Sequence, residues 1–183
     1  GSFSDSGQSL GSSDSAAVVL GDVDGDGDLD AFVANYNDQA NKVWINNGSG
    51  GFSDSGQTLG SAVSRDVALG DIDGDGWLDV AVSVFLGPQR FASKGRVKVY
   101  FNDGKGTLGS LPAWRTADSF FTFGCALGDA DGDGDHDLLV ATGEGYQNPP
   151  DANRLYLNNQ GVLGTQPAWK SAVNDHAMGA LFA

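Results

Sequence analysis

The sequence predicts an all-β fold of stacked four-stranded sheets, and three observations carry that prediction. Glycine takes 28 of the 183 residues, and alternating Val, Leu, Ala and Phe stand where helix formers are scarce, which favours short strands joined by tight turns. An acidic motif recurs three times, as LGDVDGDGDLD at 20–30, LGDIDGDGWLD at 69–79 and LGDADGDGDHD at 127–137, with spacings of 49 and 58 residues. Each motif runs into a nearly unbroken apolar stretch that suits a strand covered on both faces. A period of about 50 residues with four strands per unit matches a radially stacked array, a β-propeller with one blade per unit.

Within each unit the elements follow in a fixed order, called A to D here. Strand A ends at the Leu-Gly pair before the acids: Leu20-Gly21, Leu69-Gly70 and Leu127-Gly128. Strand B follows the acids as Leu29–Val33, Leu78–Val82 and Asp137–Ala141. Strand C is centred on Trp44, Tyr100 and Tyr156, within KVWINNGSGGF, RVKVYFNDGKGTL and NRLYLNNQGVL. An Asn-Gly-type turn then leads to strand D. The connections between B and C, at 34–42, 84–95 and 142–153, differ in length and account for most of the unequal spacing.

These boundaries divide a single propeller over 1–183 into repeats at about 12–60, 61–116 and 117–170, with partial units at 1–11 and 171–183. GSFSDSGQSLG at the start recurs as GGFSDSGQTLG from Gly50, which makes 1–11 a lone D-like strand. GTLGSLPAWRTA from Gly106 recurs as GVLGTQPAWKSA from Gly161, and the final MGALFA matches FGCALG at 123–128, so the chain trails off in a D-A pair. The two Pro-Ala-Trp segments fall at equivalent D positions and are expected to pack between blades.

Charge narrows the function. A formal charge of -14 and a pI near 4.1 leave too few Lys and Arg for a nucleic-acid or anionic-membrane surface. No stretch of about 18 apolar residues marks a spanning helix. Of the 24 acids, 14 crowd into the three motifs, where mutual repulsion is costly unless a cation neutralises it. Cys125 is the single cysteine, so no intrachain disulfide forms, and it is expected to pack as a small apolar residue.

Each acidic loop reads D-x-D-G-D-G-x-x-D. Positions 1, 3, 5 and 9 are Asp22, Asp24, Asp26 and Asp30; Asp71, Asp73, Asp75 and Asp79; and Asp129, Asp131, Asp133 and Asp137. Position 7 changes from Asp28 to Trp77 to Asp135, as a ligand acting through its backbone carbonyl permits. Hard oxygens converging on a Gly-permitted turn are what Ca²⁺ requires, so three Ca²⁺ sites are expected; Mg²⁺ prefers fewer carboxylates and retained waters. Asp-Gly hairpin turns alone need one or two such residues, not four spaced carboxylates three times over. An EF-hand needs a Glu at position 12, where Val33, Val82 and Val140 stand inside strands.

On the acidic loops, Phe123-Gly124 before the third of them, and the WINNGSGGF segment, the chain resembles the FG-GAP and VCBS repeat family, whose units are propeller blades like those of the integrin α subunit. The resemblance implies that the loop carboxylates ligate Ca²⁺ and that the protein works outside the cell or at its surface. It also implies a ring with more blades than the three complete units here. An open blade edge exposes unpaired backbone and apolar side chains, so a homodimer that completes the ring is one expectation.

The same resemblance points to a binding module and leaves its ligand open: a protein in adhesion, or a glycan, as a lectin-like propeller or an accessory domain of a secreted polysaccharide-active enzyme. Strand order puts the acidic loops at one end of each blade and the variable B–C loops at the other, where a ligand is expected. Tyr36, Phe85, Arg90, Phe91 and Tyr146 in those loops are recognition types, although ordinary packing is the commoner fate of each. No enzyme is expected: His136 sits at position 8 of the third acidic loop, His176 has no evident partner, and Ca²⁺ explains nearly every clustered acid.

Overall fold

The computed structural model describes residues 4–87, 90–143 and 150–182. It is all-β: no helix occurs among the described residues, and three antiparallel sheets repeat one plan. The first sheet orders β1 (Ser15–Gly21), β2 (Asp30–Asn35), β3 (Lys42–Asn46) and β4 (Phe52–Asp54) in sequence. The second runs β5 (Val63–Gly70), β6 (Asp79–Gly87), β8 (Val97–Tyr100) and β9 (Trp114–Arg115), with β7 (Arg90–Lys94) added beside β6. The third runs β10 (Thr122–Gly128), β11 (Asp137–Thr142), β12 (Arg154–Tyr156) and β15 (Trp169–Lys170), and between the last two lies a small hairpin of β13 (Asn158–Asn159) and β14 (Val162–Leu163). These are the propeller-like blades that the repeats predict.

Register shows why the acidic loops are alike. In each A–B hairpin the glycine that ends strand A pairs with the position-9 aspartate that begins strand B: Gly21 with Asp30, Gly70 with Asp79, Gly128 with Asp137. The β-type alternation therefore restarts at the same point in every blade.

The blades stack through their A and B strands, β1 against β5 and β5 against β10. One core fills the first seam, with Phe32, Val43, Val67, Val80, Val82 and Tyr100; a second fills the next, with Ala81, Val99, Cys125, Leu138, Val140 and Tyr156. Strand β6 is buried along its whole length because it is sandwiched by both neighbours, as its unbroken apolar run predicts. Cys125 lies in the second core, as expected of a small apolar residue.

Stacking requires close approach at one small residue. A Cβ on Gly21 would meet the Leu69 and Leu78 side chains at 2.6 and 2.8 Å, and one on Gly70 would meet Leu127 at 3.0 Å. Gly128 repeats the contact with Phe182, at 2.6 Å, so the trailing segment packs on the third blade as the next strand A would.

In the second and third blades strand D is the Trp-bearing pair at 114–115 and 169–170, at the Pro-Ala-Trp positions expected of it, and the residues just after the turn fold back through the Asn102–Leu108 bridge and the β13–β14 hairpin. Two details depart from the expected elements. The second B–C connection is a strand extension: Val84, Phe85 and Leu86 continue β6, and Lys94 of β7 pairs with Leu86. Residues 4–11 are not a strand; they are held through Gln8, which bonds the Gly50 carbonyl and the Phe52 amide.

Candidate metal centres

Each acidic loop follows strand A directly, and its glycines do what only glycine does cheaply. Gly25 and Gly27 sit at φ of 79° and 93°, Gly74 and Gly76 at 78° and 92°, Gly132 and Gly134 at 84° and 96°, all in the left-handed region. That winding turns successive amides inward. The position-1 aspartate accepts from both glycines: Asp22 from Gly25 and Gly27 at 2.8 and 3.0 Å, Asp71 from Gly74 and Gly76 at 2.8 and 3.0 Å, Asp129 from Gly132 and Gly134 at 2.7 and 3.1 Å.

The position-9 aspartates anchor the loops from below. Asp30, Asp79 and Asp137 are all 0% exposed. One oxygen of each accepts the position-2 amide, from Val23, Ile72 and Ala130 at 2.9, 2.9 and 2.7 Å. The other accepts the amide of the asparagine that ends strand C, from Asn46, Asn102 and Asn158 at 2.8, 2.9 and 2.8 Å. A buried carboxylate so provided for fixes the loop closure.

This frame brings together the carboxylates of positions 1, 3 and 9. In Asp22, Asp24 and Asp30, in Asp71, Asp73 and Asp79, and in Asp129, Asp131 and Asp137, one oxygen from each residue lies within 4.8 Å of the others. Each triad could hold a metal ion. The position-5 aspartates stand outside that grouping: Asp26, Asp75 and Asp133 each accept the position-7 amide at 3.0 Å.

Position 7 reaches outward. Trp77 lies over Gly25 of the first loop and Gly104 of its own blade's turn, Asp28 comes against Gly48, and Asp135 accepts the Gln160 amide at 2.5 Å.

The electrostatics repeat as well. Asp24, Asp73 and Asp131 are each held above the ordinary carboxylate value, first by loss of water and then by neighbouring carboxylates. Burial pushes Asp79 up to about 6 even though the Asn102, Ile72 and Asp73 amides pull it the other way. Clustered carboxylates that resist ionisation gain most from a divalent cation, which removes both the desolvation and the repulsion.

The sequence reading did not single out the strand-C asparagines as part of these centres, although they recur in WINN, YFND and YLNN. Beyond its amide, Asn102 donates Nδ2 to the Leu78 carbonyl of its own loop and to the Val23 carbonyl of the preceding one, at 3.1 and 2.8 Å. Asn158 does the same to His136 and Ile72 at 3.1 and 2.7 Å. Asn46 reaches Leu29 at 3.1 Å. Adjacent loops are thereby tied to each other. His136 adds a second tie, its Nδ1 lying 2.9 Å from the Asp71 carbonyl.

At the opposite end, Phe85 is core: it is 3% exposed and stacks near Phe121 and Phe123 at 5.3 and 4.8 Å. Tyr36 lies under the Arg65 guanidinium at 4.7 Å. The side chains of Arg90 and Phe91, and all of Tyr146, lie outside the described residues. Trp114 packs between blades as expected, edge-on to Tyr156 at 5.5 Å and bonded through Nε1 to the Leu163 carbonyl; its equivalent Trp169 is 51% exposed.

The model of an FG-GAP-like repeat matches residues 22–82 and 84–140, together well over half of the chain, and that of an FG-GAP repeat matches 65–100. The first of the two longer matches opens at Asp22 and closes just after the second acidic loop, and the second closes just after the third. A search of curated proteins finds no match.

Proposed function

We propose that this chain, which belongs to the FG-GAP-like repeat family, is a non-catalytic binding module that works outside the cell, its blades stiffened by three Ca²⁺ ions. The observation that carries this reading is the threefold recurrence of one carboxylate triad on one glycine-wound frame. Two oxygens on a common Ca²⁺ can stand at most about 5 Å apart, twice a metal–oxygen distance of about 2.3–2.6 Å, and the 4.8 Å limit of each triad accommodates that. Asp22, Asp24 and Asp30, with their counterparts, would be the ligands, joined by the position-5 carboxylates and the position-7 carbonyls once an ion draws them in. The ion supplies charge neutralisation and fixes the A–B turn, so its binding free energy becomes folding free energy. Extracellular modules of this kind bind with Kd of about 10⁻⁴ to 10⁻³ M.

The variable B–C end is the surface for a partner, a protein or a glycan. In support of a non-catalytic role, the buried acids are all engaged by loop amides, and His136 is held against a backbone carbonyl. The first blade's outer face, where Val18, Leu20 and Leu29 are exposed, is read as the seat of another blade carried by a second copy of the chain.

Melting in millimolar Ca²⁺ and in excess chelator tests the calcium reading. Chelator should lower the melting temperature by many degrees. Asp24→Ala, Asp73→Ala and Asp131→Ala should each abolish one site in a calcium titration and leave two. A melt indifferent to chelator would sink the structural role of calcium.

A further inference from the structure

The chain has 10 Lys and Arg against 24 acids, yet four of those ten, Lys94, Arg96, Lys98 and Arg115, line a single cleft of about 290 Å³ in the second blade that no acid lines. Val84 and Leu86 give it an apolar floor. Strand β8 places Lys98 directly opposite Arg115 of β9, and like charges so paired destabilise a sheet unless an anion lies between them. Lys98 is held below the ordinary lysine value, first by burial and then by Arg115. Arg96 is pinned by donating Nη1 to the Thr116 and Ala117 carbonyls, and Lys94 lies over the Phe121 ring at 5.3 Å. Among the described residues, Lys94, Lys98 and Arg115 make no ion pair.

The cleft is built from the end of β6, the end of β7, the start of β8 and the 61–62 link between blades. It therefore sits at the end of the blade away from the acidic loops, which is the end that the proposed function assigns to a ligand, and the inference rests on that assignment. We propose that this cleft is an oxyanion site that takes one sulfate or carboxylate group on an otherwise neutral, hydroxylated body, an acidic sugar. Guanidinium and ammonium donors suit either oxyanion. The surrounding charge of -14 repels a long polyanion but admits a single anionic group. The apolar floor and the Ser61 hydroxyl at the rim suit the faces and hydroxyls of a sugar ring.

Calorimetric titration in millimolar Ca²⁺ with sodium sulfate, a monosulfated monosaccharide, a hexuronate, the uncharged sugar and a short acidic peptide tests this. The sulfated sugar or the hexuronate should bind saturably, at one per chain, and the uncharged sugar should not. Lys98→Met with Arg115→Met should weaken binding about tenfold or more, the loss of one charge-assisted hydrogen bond or more. At equal ionic strength, sulfate should raise the wild-type melting temperature above its value in chloride by more than it raises the variant's. Because Arg115 is exposed, Arg115→Gln alone provides a second variant if the double one fails to fold.

The proposal is overturned if no anion binds saturably, if the variants bind as the wild type does, or if only inorganic sulfate or only the acidic peptide binds. A chelator-insensitive melt would overturn the calcium reading independently of any of these results.

Discussion

The Cys125 thiol lies in the seam between the second and third blades, 3.6 Å from the Ala81 carbonyl, with its pKa pushed up to about 12, first by burial. Between its ordinary value of 9.0 and about 12, the unfolded chain has lost this proton while the native chain keeps it. The unfolded state then binds fewer protons, so stability falls with rising pH, by about 1.4 kcal/mol per pH unit from this group across that window. Tyr100 and Tyr156, also raised by burial, steepen the fall at still higher pH. Urea midpoints at pH 8, 9 and 10 should drop accordingly. Cys125→Ala should start lower, having lost buried volume, but decline less between pH 9 and 10. An equal decline in both would mean that the thiolate is accommodated in the native seam.

At the scale of the element, the strand-C asparagines make neighbouring acidic loops one mechanical unit. Asn102 and Asn158 each span two loops through Nδ2, whereas Asn46 touches only its own. Truncation to Ala keeps the backbone amide that serves the position-9 aspartate and leaves carbonyls in the seam without a donor. Asn102→Ala and Asn158→Ala should each cost about 1–3 kcal/mol in chemical denaturation, and Asn46→Ala less than about 1 kcal/mol. Equal costs at all three would mean that the cross-blade bond contributes nothing. The acidic loops and the B strands were legible in the sequence because their cause is local: winding by Gly25 and Gly27, and burial of a continuous apolar run such as β6 on both faces. The D strands of the second and third blades were legible as the repeated Pro-Ala-Trp segments, but the pairing of the residues between the turn and those segments was not, because the Asn102–Leu108 bridge and the β13–β14 hairpin carry no sequence signal beyond the turn itself. The triads were legible as residue types but not as geometry: spacing gave positions 1, 3, 5 and 9 equal standing, while the fold gathers 1, 3 and 9 and turns position 5 toward an amide. The basic cleft escaped altogether, since Lys94, Arg96, Lys98 and Arg115 converge only when β7, β8 and β9 pair.

For the whole molecule, the contrast between equivalent positions shows what a blade face is built to meet. Val18 is 62% exposed in the first blade, whereas Val67 and Cys125, at the same place in the next two, are 7% and 4% exposed under the blade before them. Leu20, 55% exposed, corresponds to Leu69, which sits against Gly21 of its predecessor. The first face thus presents the apolar residues that elsewhere cover a glycine of the preceding blade, and such a patch favours association. A second copy could offer the matching surface on its third blade, where Gly128 now receives Phe182 from its own trailing segment; the exchange replaces one large apolar side chain by another. Such a contact joins unlike faces, so it closes a ring or extends, depending on the angle between blades. Light scattering across a concentration series in Ca²⁺ should then give a mass above one chain. Leu20→Asp should bring it down to one chain and leave the chelator-sensitive melt intact, because that side chain is more than half exposed within its own chain. A wild-type mass of one chain at every concentration would show that the exposed face is tolerated in solution and that a second copy is not its partner.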